Sequence, residues 1–94
     1  MIQNYRGRDT ARFAQGLRVR QWEAFRPQAE RRLRVLDAAT ALTDLAALHS
    51  NRLEALRGDR QGQYSIRIND RRRICFRWLA AAAGPTDVEI VDYH

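Results

Sequence analysis

The 94-residue chain contains no lysine; all seventeen of its basic residues are arginine. Cysteine occurs once, as Cys75, which excludes an internal disulfide and a zinc cage built on cysteine. No apolar run approaches the roughly 20 residues needed to cross a bilayer. The opening Met1-Ile2-Gln3-Asn4-Tyr5-Arg6 lacks the apolar stretch of a signal peptide, so a cytoplasmic protein is the simplest expectation. Length sets a further limit. A chain of this size is expected to fold as one domain, residues 1–94, burying about 60–65% of its unfolded surface. No internal repeat or low-complexity linker divides it. Its apolar fraction of 45% is that of a folded protein rather than a disordered one.

Eleven acidic residues leave a net charge of +6 and a pI of about 10.9. A GC-rich genome is the commoner source of an all-arginine set, but the physical consequence is the same. Guanidinium groups grip phosphate bidentately and stack on bases, so an anionic polymer is a natural partner. Charge alone fixes only the sign of that partner, since ribosomal and membrane-associated proteins share it.

The hydrophobic period changes near residue 50. Before it, apolar residues recur at helical spacing; after it they alternate. Residues 2–6 read as a short opening strand, and Asp9 as the N-cap of a first helix with Phe13 and Leu17 on one face. Gly16 weakens that helix near its end. Pro27 suits the first turn of a second helix, in which Ala29, Leu33 and Leu36 form a buried stripe and Glu30 precedes Arg34 by the spacing of a surface pair. Trp22 and Phe25 are expected beneath the two helices, and Thr43 as the cap of a short third turn ending near Leu48.

The second half reads as a meander. Leu53 and Ala55 alternate with Arg52 and Glu54, Tyr64, Ile66 and Ile68 with Ser65 and Arg67, Ile74, Phe76 and Trp78 with Cys75 and Arg77, and Val88 and Ile90 with Glu89 and Val91. Gly58 to Gly62, Asn69-Asp70 and Gly84-Pro85 mark the loops. The predicted architecture is α+β, with two N-terminal helices packed on one face of a small, mainly antiparallel sheet. If the apolar sets all face the helices, Arg67, Arg73, Arg77 and Tyr93 converge on an open side as a basic concave surface carrying one phenol. Arg71 and Arg77 read as solvated charge, His49 as a surface loop residue, and Cys75 as a buried small apolar group.

Three stretches carry a resemblance: RLEALRGDRQGQYSI over residues 52–66, INDRRRICFRW over 68–78, and the terminal Val91-Asp92-Tyr93-His94. In order and spacing they are similar to the HigB-type toxins of the RelE/ParE superfamily, closely over 52–94 and more weakly over 1–45. The resemblance implies the RelE-like microbial RNase fold and a ribosome-dependent endoribonuclease of a type II toxin–antitoxin pair. It implies messenger RNA in the ribosomal A site as substrate and a helix-turn-helix antitoxin of the HigA type as partner. It also implies no metal or other cofactor, the RNA 2′-hydroxyl serving as nucleophile. This chain departs from the family pattern in three places: Glu54 stands where a histidine is usual, Arg57 where a lysine is, and Arg72 where tryptophan is frequent.

Such a cut needs a base for the 2′-hydroxyl proton, an acid for the leaving 5′-oxygen and cations for the phosphate charge. His94 is the histidine placed for proton transfer, imidazole titrating at about 6.5 when unperturbed. Tyr93 is a second candidate, provided its phenol is made more acidic than usual. Arg73 and Arg57 are expected to stabilise phosphate, and Arg60 and Arg67, with Arg57, to position the RNA backbone. Glu54 can act as a base but is a poor acid at neutral pH, and it is expected to hold an arginine, either Arg57 or Arg73. Three rivals are separable by experiment: a degenerate toxin that only binds its antitoxin, a gyrase poison on the ParE pattern, and an unrelated basic RNA-binding module.

Overall fold

Helix ends and turns follow local backbone chemistry more closely than apolar spacing predicts. The computed structural model describes residues 1–92. The first helix, α1 (Arg8–Ala14), is capped by Gly7 rather than Asp9. Asp9 lies inside the first turn, where its Oδ2 accepts from Gln21 Nε2 at 2.9 Å and ties α1 to a 3₁₀ turn, Arg20–Phe25. Gly16 terminates α1 at φ +88°, a conformation that costs other residues a Cβ clash. The Gly16 N–H reaches the Phe13 carbonyl at 3.0 Å and the Leu17 N–H the Arg12 carbonyl at 3.0 Å, a Schellman closure. Leu17 therefore falls beyond the helix and is 43% exposed instead of sharing the buried face of Phe13.

Helix α2 (Arg26–Ala38) carries Pro27 in its first turn and buries Ala29, Leu33 and Leu36, as their spacing predicts. Glu30 pairs with Arg26 at 3.1 Å, not with Arg34. The reason lies one turn upstream. Glu23 grips the Arg26 guanidinium as a fork, at 3.0 Å from Nε and 2.6 Å from Nη2, and also accepts the Val19 N–H at 3.0 Å. That guanidinium stands 4.1 Å from the centre of the Phe13 ring, which in turn meets Trp22 edge-on at 5.6 Å. The 17–26 connection is thus fastened to α1. The third helix, α3 (Leu42–Ala47), is secured by Asp44 rather than Thr43. Its Oδ2 accepts from the Thr40 N–H and hydroxyl, each at 2.8 Å, and from the Ala41 N–H at 3.2 Å.

The strands β1 (Glu54–Ala55), β2 (Tyr64–Arg67), β3 (Arg72–Arg77) and β4 (Thr86–Asp92) pair antiparallel in chain order. Ile66, Ile74, Phe76 and Val88 are fully buried on the face that packs with Phe13, Leu33, Leu36 and Leu45, which gives the predicted α+β arrangement. Residues 2–6 do not form a strand of their own. They run beside β4 through a single parallel bridge, Tyr5 to Val88, with Gln3 N–H to the Pro85 carbonyl and Arg6 N–H to the Val88 carbonyl, both 2.9 Å. Among the described residues no helix is long and apolar enough to cross a membrane.

Two measurements check this account. In urea unfolding, Ile74→Ala is expected to cost about 2–5 kcal/mol, whereas Leu17→Ala stays within about 0.5 kcal/mol; equal losses would contradict the assigned end of α1. The Arg26 fork and the Val19 N–H hold the Glu23 carboxyl at about 2, below its ordinary 4.5. A depressed carboxylate stabilises the fold above its unfolded value and loses that contribution as pH falls toward the folded value. The melting-temperature gap between wild type and Glu23→Gln should therefore be widest near neutrality and close between pH 4.5 and about 2. A gap independent of pH would remove the fork from the account.

Candidate functional site

Strand register decides which side chains share the face away from the helices. Glu54 lies opposite Ser65, Ser65 opposite Cys75, and Cys75 opposite Glu89, while the neighbouring row joins Arg67, Arg73 and Val91. Small side chains occupy the middle of this face, where Ser65 and Cys75 are fully buried. Cys75 is buried, as expected of a small apolar side chain, although it lies on the face that alternation left open.

Arg73 is the organising cation of this face and is only 9% exposed. Its Nε donates to Ser65 Oγ at 2.7 Å, and its Nη2 donates to the Ser65 carbonyl at 3.3 Å and to the Arg52 carbonyl. Glu54 Oε1 lies 3.7 Å from the same Nη2, so of the two arginines open to it, Glu54 stands beside Arg73. Nη1 makes no hydrogen bond among the described residues. Arg52 sits in the left-handed region at φ 46°, at the end of a 3₁₀ turn spanning His49–Asn51. Asn51 is fully buried there, accepting from Arg32 Nη1 at 2.6 Å and donating to the Leu45 carbonyl at 3.1 Å.

The face is not the open basic surface that alternation suggested. Arg60 pairs with Glu89 at 2.6 Å, Arg77 with Asp87 at 3.5 Å, and Arg67 with Asp70. Each arginine expected to project positive charge here has a carboxylate beside it, and Arg77 is half-buried rather than merely solvated. Arg71 is exposed, as expected. Arg57 differs. It is exposed just before the 3₁₀ turn Gly58–Arg60, and its side chain has no partner among the described residues. Tyr93 and His94 lie outside the described residues.

Arg52, Asn51 and His49 escaped the sequence reading as site residues. His49 is exposed as expected, yet it lines one pocket together with Arg52 and Glu54. The available signal was its nearness in sequence to Glu54; the left-handed turn that gathers these side chains has no glycine to announce it.

Replacing Ser65 by alanine deletes the hydroxyl that holds Arg73 Nε and leaves a buried donor unpaired. We expect Ser65→Ala to cost about 1–3 kcal/mol in urea unfolding. A loss no larger than that of an exposed serine such as Ser50 would mean Arg73 is not anchored there.

Comparison with known proteins finds a family and a relative to which the chain is similar. A family described as the RelE-like toxin of type II toxin–antitoxin system HigB matches residues 11–94. Toxin HigB-1 of Vibrio cholerae is 43% identical over 53 residues, which is 56% of this chain and 56% of that protein. The chain thus covers little more than half the length of that relative.

Proposed function

Because the chain belongs to the RelE-like HigB toxin family, we propose that it is a ribosome-dependent endoribonuclease that cuts messenger RNA in the A site and is restrained by a helix-turn-helix antitoxin. The cytoplasm, where both RNA and ribosome are found, is its proposed location. The observation that supports this reading best is Arg73. A guanidinium fixed through Nε and Nη2, with Nη1 unbonded, is a preorganised cation awaiting an anion. Such fixed charge is worth most where charge develops in a transition state.

In the proposed reaction no metal takes part. A base removes the proton of the 2′-hydroxyl, the 2′-oxygen forms a bond to phosphorus, and the bond to the 5′-oxygen breaks as an acid protonates it. The products are a 2′,3′-cyclic phosphate and a 5′-hydroxyl. Tyr93 and His94, which follow Asp92 at the end of β4, are the proposed proton-transfer pair. Arg73 carries the added phosphate charge. Glu54, 3.7 Å from Nη2, keeps that guanidinium oriented rather than exchanging protons with the substrate. Arg57 is the cation available to the RNA backbone; Arg60 and Arg67 engage it only by exchanging Glu89 and Asp70 for phosphate.

Primer extension on mRNA from induced cells, with and without active ribosomes, tests the proposal. Wild type is expected to give ribosome-dependent cuts. Arg73→Ala should lower cleavage by about 10²–10³-fold, with Arg73→Lys, which keeps charge but not the fork, between the two. Removal of residues 93–94 should cost about 10²–10⁴-fold. Intact cleavage after that truncation would reject the proton-transfer assignment. Growth arrest with intact mRNA and broken DNA would identify a gyrase poison instead, and no phenotype would identify an antitoxin-binding co-regulator.

A further inference from the structure

Beside Arg73 lies an open pocket of about 410 Å³ lined by Ala46, Leu48, His49, Arg52, Leu53 and Glu54. Its wall is braced from two sides. On the helical side, Asn51 is clamped between Arg32 of α2 and the Leu45 carbonyl of α3. On the sheet side, Arg73 of β3 donates to the Arg52 carbonyl, while the Arg52 N–H reaches the His49 carbonyl at 3.1 Å. A non-glycine residue at φ 46° is strained and persists only where its surroundings fix it. Here the residue before the strained one is clamped and the strained residue's own N–H and carbonyl are bonded, and the outcome is one cavity bordered by an imidazole, a guanidinium and a carboxylate.

The remaining wall is apolar. Leu53 packs partly against the core, while Leu48 stays 46% exposed. Apolar walls with a few placed polar groups are the make-up of a small-ligand site, and such sites run from about 300 to 1,000 Å³. A nucleotide matches each part of this one. Its flat base fits the two leucines, its phosphate suits Arg52, and its edge offers hydrogen-bond groups to His49 and Glu54.

We propose that this pocket is a nucleotide subsite that takes the base next to the scissile phosphate, with His49 reading the edge of that base. His49 is then a specificity-determining residue, and base choice is set here rather than at Arg73. The position relative to the cut rests on the nuclease reading; nucleotide binding itself does not.

The probes are the four nucleoside 3′-monophosphates, each titrated singly into the ¹⁵N-labelled full chain. The amide signals of His49, Arg52 and Leu53 are expected to shift, with affinities that differ among the bases by about tenfold, the worth of one good polar contact. His49→Ala should lower the preferred nucleotide's affinity about tenfold and level the four, while His49→Gln, which retains a hydrogen-bonding edge, keeps part of the preference. The same spectra show whether each variant is folded. In cells, His49→Ala should redistribute the cut sites among sequences. Shifts absent from residues 48–54 with all four nucleotides, or a His49→Ala affinity equal to wild type, would overturn the subsite and leave the nuclease reading intact. Nucleotide binding here by a protein that never cuts mRNA would retain the subsite and overturn the nuclease.

Discussion

The Arg73 guanidinium joins three parts of the chain: the centre of β2 at Ser65, the left-handed turn at Arg52, and β1 at Glu54. Burying a cation is costly unless its donors are bonded and an opposite charge is near. Here Nε and Nη2 are bonded and Glu54 stands near, while Nη1 is left over, and holding the first two dictates the surroundings. Position 65 must carry a small acceptor, Arg52 must turn its carbonyl inward, and β1 must begin where a carboxylate faces Nη2. A two-residue strand is too short to hold register by its own ladder. The ion pair and the bond to Arg52 supply what its length does not.

Charge is distributed against first expectation. The sheet face proposed to meet RNA is made of arginine–carboxylate pairs, whereas Arg6, Arg8, Arg12 and Arg20 near the first helix have no side-chain ion pair or hydrogen bond among the described residues. The net +6 is therefore not concentrated where the proposed chemistry is. What distinguishes the candidate site is order: one guanidinium with fixed geometry does more for a developing charge than several mobile ones.

Alternation and helical spacing revealed the core well. Leu33, Leu36, Ile66, Ile74, Phe76 and Val88 are inside because burial is what those periods record. Arg73 was legible as a candidate through the alternation that sets it on the face away from the helices. Helix ends were less legible. Gly7 and Asp44 decide two of them, and each competed with a more familiar capping signal close by in the sequence, Asp9 and Thr43. The neutralisation of the arginines was hidden for a different reason. Arg60 finds Glu89 across 29 residues, and only strand order and register bring them together. The pocket at His49 was hidden for a similar reason, since the left-handed turn at Arg52 is held partly by a bond from Arg73 in β3.

The backbone groups along the two borders of the sheet are occupied or scarce. Beyond β4, Gln3, Asn4 and Arg6 bond to Pro85 and Val88, and the Ile90 N–H is taken by the Thr10 hydroxyl at 3.2 Å. At the other border, β1 offers two residues. A sheet finished in this way gives little template for an added strand, whether from a second copy or from another protein. A protein partner that joined the sheet would have to displace residues 3–6 or extend β1. Otherwise, recognition of this molecule falls to its side chains.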